Sequence, residues 1–124
     1  MMPWLAVAAG GVLGALARYG INVLLAPASA GRFPFATLTV NVLGSVLIGV
    51  LYVLIVERAQ LAPLWREFLM IGVLGAFTTF SAFALDSVGL WQNGQPLLAA
   101  LNVGANLVLC LGGAASAIAV TRLF

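Results

Sequence analysis

The sequence of 124 residues contains no histidine and no lysine, a single cysteine and three acidic residues. Charged residues make up 6% of the chain, whereas soluble domains carry about 25%. So few charges cannot form a water-exposed surface, which excludes a soluble protein. One cysteine excludes an internal disulfide, and zinc sites of the usual Cys/His type are excluded as well. The net charge of +2 is too small to indicate a nucleic-acid partner.

What the chain has instead is apolar sequence: 64% of its residues are hydrophobic and the mean hydropathy is +1.18. Turn-forming residues interrupt it at 27–34, 57–63 and 92–96. The four stretches between them, roughly 3–26, 35–56, 66–91 and 96–121, each supply the ~20 residues that cross a hydrocarbon core. The sequence therefore predicts an all-α protein of the lipid bilayer, with one four-helix transmembrane domain over residues 1–124.

The beginning of the chain has some features of a signal peptide, but the pattern favours a mature first span. The start is uncharged, and apolar sequence runs past Arg18 to Leu25. A signal peptide would have a charged start and a shorter apolar region.

Four spans place both termini and the loop 57–65 on the same side of the membrane. Three arginines lie on that side and one loop arginine, Arg32, lies on the other. Positively charged loop residues normally determine the orientation of a membrane protein, and this difference is small. Insertion in both orientations is therefore credible, and it would permit an antiparallel dimer. The three are Arg58, Arg66 and Arg122.

Small residues also predict close helix packing. Gly10 and Gly14 form a GxxxG pair, and Gly72 with Ala76 forms a weaker one. Such pairs occur both inside single bundles and between subunits, and the sequence leaves both interpretations open.

Polar residues recur at similar depth in all four spans. Arg18, Asn41, Asp86 and Asn102 each lie six to eight residues from a span end on the same side, which predicts a depth of roughly 9–12 Å. Residues four apart share a helix face, so the second and fourth helices each carry a polar stripe. The stripes either hold the bundle together by hydrogen bonds or line a hydrated path. They consist of Thr37, Asn41 and Ser45, and of Asn102, Asn106 and Cys110.

Arg18 is the most unusual residue of the first span, because an arginine inside the membrane is costly and by default indicates function. Asp86 is its candidate partner from the same predicted depth. The alternative is that Arg18 reaches the near surface with its long side chain.

The stretch G-A-F-T-T-F-S-A-F (75–83) lies in the middle of the third span. Two adjacent β-branched threonines after a glycine weaken a helix, and hydroxyl groups can satisfy the backbone groups that a break frees. Broken helices at this depth present carbonyl oxygens to ions, and the positive rims of Phe80 and Phe83 can face an anion. A continuous helix with packed phenylalanines is the alternative that the residues leave open.

Three segments together resemble the Fluc/CrcB family of small fluoride channels: G-A-L-A-R-Y (14–19), F-P-F-A-T-L-T-V-N-V-L-G-S (33–45) and G-A-F-T-T-F-S-A-F (75–83). The resemblance covers essentially the whole chain. It implies a passive, non-enzymatic fluoride channel in the bacterial inner membrane. The expected assembly is an antiparallel homodimer of dual topology, with two pores and a third helix broken at mid-membrane.

The resemblance also implies roles for individual residues. Backbone carbonyls of Gly75 and Thr78 are expected to hold a central structural sodium ion, and Arg18 is expected near a vestibule. The fourth helix departs from the family pattern, because some members carry Tyr and Ser/Thr where this chain has amides. Amides can also donate to an anion, so Asn102 and Asn106 stay among the expected pore residues. The full set expected along the fluoride path is Phe80, Phe83, Asn41, Thr79, Ser81, Asn102 and Asn106.

The main rival is a proton-coupled exporter of the small multidrug resistance type, which also has four spans and dual topology. That chemistry uses a membrane-embedded carboxylate in the first helix. The first helix here contains no acid and carries Arg18 instead, which argues against the exporter.

Overall fold

The computed structural model describes residues 2–124, and these are all-helical, with no β-strand. Four helices are long and apolar enough to cross a membrane, which confirms the predicted number of such helices. The chain is a multi-pass membrane protein. The helices are Met2–Ser29, Phe35–Glu57, Pro63–Gln92 and Pro96–Arg122, referred to below as helices 1 to 4.

Two stretches wind more widely than an α-helix, which the sequence did not predict. Helix 2 changes from α-helix at Phe35–Leu51 to π-helix at Tyr52–Glu57. Helix 3 begins with one α-helical turn at Pro63–Trp65 and continues as π-helix over Arg66–Leu74. π-helix is rare and mostly confined to single turns, so helix 3 is already irregular before its central stretch.

Helical hydrogen bonding in helix 3 is interrupted after the short α-helical segment Gly75–Phe77. Thr78 has φ −84° and ψ 159°, and Thr79 has φ −151° and ψ 120°, both extended conformations. An α-helix begins again at Phe80 and runs to Gln92. We call residues 63–77 helix 3a and Phe80–Gln92 helix 3b.

The Gly10–Gly14 pair lies against helix 3a within the same subunit. A Cβ on Gly10 would collide with the carbonyl oxygen of Phe68, and a Cβ on Gly14 with that of Val73. From the other side, a Cβ on Gly72 would lie 2.9 Å from the Cα of Gly10. These glycines therefore permit backbone contact between helices 1 and 3a, so of the two interpretations of the GxxxG pair the structure has the one inside the bundle.

Helices 2 and 4 form the other close pair, and helix 3b packs against helix 4. Their ends on the terminal side are joined by Arg122, whose guanidinium donates to both oxygens of Glu57 at 2.9 and 2.6 Å. The small core lies around Val40, Leu74 and Phe77. Most other apolar side chains point outward, as expected for helices that face lipid or another subunit.

Candidate functional site

The interruption of helix 3 deprives several carbonyl groups of their helical donors, among them those of Gly75 and Thr78. In a continuous α-helix the N–H of Thr79 would bond the carbonyl of Gly75, and the N–H of Ala82 that of Thr78. Instead, Thr79 donates its N–H to Asn41 Oδ1 at 2.8 Å, and Ala82 donates to Thr79 Oγ1 at 3.1 Å. The extended conformation of the two threonines thus leaves these carbonyl oxygens available to other partners.

Asn41 of helix 2 satisfies both backbone groups of Thr79. Its Oδ1 accepts the Thr79 N–H, and its Nδ2 donates to the Thr79 carbonyl at 3.0 Å. This is the pairing that a neighbouring β-strand would provide, here supplied by a side-chain amide. Buried backbone groups without partners are costly, so Asn41 stabilises the extended conformation of Thr79.

Arg18 contacts the same region but does not pair with Asp86, so that expectation is wrong. Its Nε donates to the carbonyl oxygen of Ala76 at 3.1 Å. Because helix 1 extends to Ser29, Arg18 lies about three turns from the helix end, deeper than a shorter first span predicts. Asp86 lies about two turns from the end of helix 3b, where its Oδ2 accepts a hydrogen bond from Thr37 at 2.8 Å.

The hydroxyl groups around the interruption have different partners. Thr78 Oγ1 donates to the Leu74 carbonyl at 3.0 Å and so completes the last turn of helix 3a. Thr79 Oγ1 caps helix 3b through Ala82 and lies 3.3 Å from Ser81 Oγ. An N-cap hydroxyl of this kind favours the start of a helix.

Phe80 and Phe83 form an edge-to-face pair on helix 3b, with ring centroids 5.3 Å apart and planes at 62°. Phe83 is buried, with 8% of its surface exposed, whereas Phe80 is 77% exposed. The pair therefore presents one fixed ring and one outward-facing ring.

An open groove of about 370 Å³ runs along this region. Seven of the expected site residues line it, and no lining residue carries a charge. Arg18, Ser81 and Asn102 are not among the lining residues; Ser81 is exposed, and Asn102 is completely buried behind the groove. The seven are Asn41, Gly75, Thr78, Thr79, Phe80, Phe83 and Asn106.

The amides of helix 4 form hydrogen bonds with one another and with neighbouring helices. Asn106 Oδ1 accepts from Asn41 Nδ2 at 3.1 Å, and Asn106 Nδ2 donates to Asn102 Oδ1 at 3.0 Å. Asn102 Nδ2 in turn donates to Ser87 Oγ at 2.9 Å. The predicted shared face of Asn102 and Asn106 is thus present, and it faces the protein interior.

Sequence reasoning assigned no role to Ser87 and named Arg18 as the partner of Asp86, yet both residues hold helix 3b to other neighbours. Ser87 accepts from Asn102, and Asp86 accepts from Thr37. The polar stripe of helix 2 already indicated that Thr37 could contact a polar partner such as Asp86, because Thr37 belongs to the same stripe as Asn41. The Thr37–Asp86 pair lies in a second groove, of about 420 Å³, which also includes Arg32.

Comparison with known proteins places the sequence of this chain in a family. Residues 5–118 match the family model described as "CrcB-like protein, Camphor Resistance (CrcB)". The chain belongs to the CrcB family. A protein of Saccharophagus degradans named "Fluoride-specific ion channel FluC" is 58% identical over 119 residues, which cover 96% of this chain and 89% of the relative.

Two further relatives bear the same name. The protein of Aeromonas salmonicida is 50% identical over 111 residues, covering 90% of this chain and 89% of its own. The protein of Shewanella amazonensis is 46% identical over 105 residues, covering 85% and 84%. The region matched by the CrcB family model contains the interruption of helix 3, the groove and all the helix 4 amides.

Proposed function

We propose that this chain forms a channel that conducts fluoride passively across the bacterial inner membrane and so lowers fluoride inside the cell. The names of its relatives point to fluoride. The observation that carries the proposal is the uncharged groove at the interruption of helix 3, lined by phenyl rings, hydroxyl groups and two amides. A lysine or arginine in this lining would bind an anion strongly and slow its release.

The lining supplies weak donors in place of water. The rim of a phenyl ring carries partial positive charge, and Phe80 and Phe83 are oriented edge to face. Helix 3b begins at Phe80, and a helix N-terminus favours negative charge. We assign Phe80, Phe83, Thr79 and Ser81 to the path as the groups that replace the hydration shell of a small anion by several modest contacts. Asn41 belongs to the wall of the same path, where it fixes the backbone of Thr79.

We further propose that two copies assemble with opposite orientation and enclose two such paths. The groove is open on the surface of a single subunit, and Phe80 is largely exposed there. At Gly75 a Cβ would meet its nearest neighbour only at 3.7 Å, so the glycine is not required by packing within the subunit. A second copy that approaches closely at Gly75 would explain both features.

The carbonyl oxygens of Gly75 and Thr78 fit the expected structural sodium ion. Both lack their helical donors, as described above, and neutral oxygens at unwound backbone coordinate sodium in other membrane proteins. Two subunits would contribute these oxygens in pairs about a two-fold axis. A bound cation would supply a fixed positive charge near the groove, and the residues of this chain orient its ligands through Asn41 and Thr79.

A flux assay tests the function. Purified protein is reconstituted into liposomes loaded with potassium fluoride, and efflux is followed with a fluoride electrode after addition of valinomycin. We expect fluoride to leave, liposomes loaded with chloride to retain their anion, and the rate not to require a proton gradient. Retention of fluoride by correctly assembled protein would overturn the proposal, and a strict need for a proton gradient would favour the exporter.

A further inference from the structure

Five hydrogen bonds connect the start of helix 3b to its own second turn by way of helices 2 and 4. The path runs from the Thr79 N–H to Asn41, then to Asn106, Asn102 and Ser87. The five distances are 2.8, 3.1, 3.0, 2.9 and 2.8 Å. The last bond goes from Ser87 Oγ to the carbonyl oxygen of Phe83. We call the four side chains Asn41, Asn106, Asn102 and Ser87 the amide ladder.

The direction of every bond follows from the first one. A backbone N–H can only donate, so the atom of Asn41 that faces the Thr79 nitrogen is Oδ1 and its Nδ2 faces Asn106. Asn106 must then accept through Oδ1, which directs its Nδ2 towards Asn102. All five donors point the same way along the ladder, and hydrogen bonds aligned in this manner strengthen one another.

The amide protons of Asn41 and Asn106 already form hydrogen bonds within the protein, so none of them is free to bind a passing ion. Both Nδ2 protons of Asn41 are used, one on the Thr79 carbonyl and one on Asn106. Both Nδ2 protons of Asn106 are used on Asn102, at its backbone oxygen and at its Oδ1. Asn106 therefore presents no free donor to the groove, although it is one of the lining residues.

We infer that Asn106 is a positioning residue, which orients Asn41 and through it the extended backbone at Thr79, and does not itself bind the anion. This inference rests on the proposed fluoride conduction. Asn102 and Asn106 are 0% and 5% exposed, as a buried scaffold requires. The series of five hydrogen bonds starts at Thr79, the N-cap of helix 3b, and ends at the Phe83 carbonyl, so it also sets the position of Phe83 relative to the interruption.

The test measures hydrogen exchange at the Thr79 amide by NMR, together with fluoride efflux. Asn106→Leu keeps the volume and removes both the acceptor for Asn41 and the donors to Asn102. We expect exchange at Thr79 to be at least tenfold faster and efflux at least tenfold slower. Asn102→Ala should have a smaller effect, since Asn106 can still donate to the backbone oxygen of residue 102, and this variant serves if Asn106→Leu does not fold.

Cys110→Ala is the matched control, because Cys110 lies one turn further on the same face of helix 4 and lines the same groove. Its Thr79 amide should exchange at the wild-type rate.

A double-mutant cycle separates positioning from direct binding: in an Asn41→Ala background, Asn106→Leu should have little further effect on efflux. Multiplicative effects on efflux, or unchanged exchange at Thr79 in Asn106→Leu, would overturn the inference. Exchange does not depend on conduction, so a failure of the proposed function would appear separately, as absent efflux in the wild type.

Discussion

The methyl group of Thr78 lies directly against the backbone of Gly44, where helix 2 passes the interruption of helix 3. A Cβ on Gly44 would collide with Thr78 Cγ2 and would lie 3.6 Å from a ring carbon of Phe77. Gly44 therefore allows helix 2 to approach the point at which Thr78 leaves the helical conformation. This contact places Asn41, one turn earlier on helix 2, within reach of Thr79.

Gly44→Ala should destabilise the protein by about 1–3 kcal/mol, as overpacking typically does. It should also slow fluoride efflux, because Thr78 has to move. Thermal unfolding in detergent and the liposome assay measure the two effects.

Thr78→Ser provides the rescue for that variant, since it removes Cγ2 and keeps the hydroxyl that donates to Leu74. The double variant should recover most of the lost stability. Gly104→Ala is the control, because a Cβ there meets nothing within 4 Å. Equal losses in both glycine variants, or no recovery in the double variant, would contradict the proposed contact.

Phe80→Ile and Phe83→Ile should each reduce fluoride efflux, because the ring edge is lost while much of the bulk remains. The buried position of Phe83 adds a stability cost that exposed Phe80 does not share, so Phe83→Ile should also unfold at lower temperature. Size-exclusion chromatography should show both assemblies intact. Phe35→Ile, a phenylalanine away from the groove, is the control and should conduct like the wild type; normal efflux in both groove variants would refute the role of the rings.

Ala59→Gly should stabilise the protein by about 1 kcal/mol. Ala59 has φ 50°, a left-handed conformation that costs residues with a Cβ about 1–2 kcal/mol, and glycine adopts it freely. Ala62, in the same loop with φ −58°, gives the control: Ala62→Gly should bring no gain. Chemical or thermal unfolding measures the stability of both variants, and a lower stability of Ala59→Gly than of the wild type would contradict the expectation. Efflux should be the same in both variants.

Removal of sodium should slow fluoride efflux or weaken the dimer, if the carbonyl oxygens of Gly75 and Thr78 hold this ion. Protein loaded with radioactive sodium is dialysed against N-methylglucamine until the label has left, and efflux and oligomeric state are then measured. Sodium should restore both, and a larger cation such as caesium should not. Full activity after demonstrated loss of the label would rule out a structural role for sodium.

The chemical character of the site was readable from the sequence, whereas its pairings were not. Spacing placed Asn102 and Asn106 on one face of helix 4, because the period of a helix is fixed by its backbone. Depth counting suggested Asp86 as the partner of Arg18, but depth leaves the rotation of each helix undetermined. The interruption and the π-helical turns of helix 3 shift those rotations, and Arg18 meets Ala76 instead.

The sequence by itself determined the class of protein, the four spans and the presence of amides, hydroxyls and phenyl rings near mid-membrane. Uninterrupted apolar stretches of about 20 residues with almost no charge satisfy their backbone groups in lipid by forming helices. Only the tertiary structure decided how the stretch 75–83 is arranged. The local sequence is compatible with either a helical or an extended backbone at Thr78 and Thr79. Contacts with groups remote in sequence stabilise the extended conformation. Asn41 and Arg18 satisfy the freed backbone, and Gly44 leaves room for Thr78.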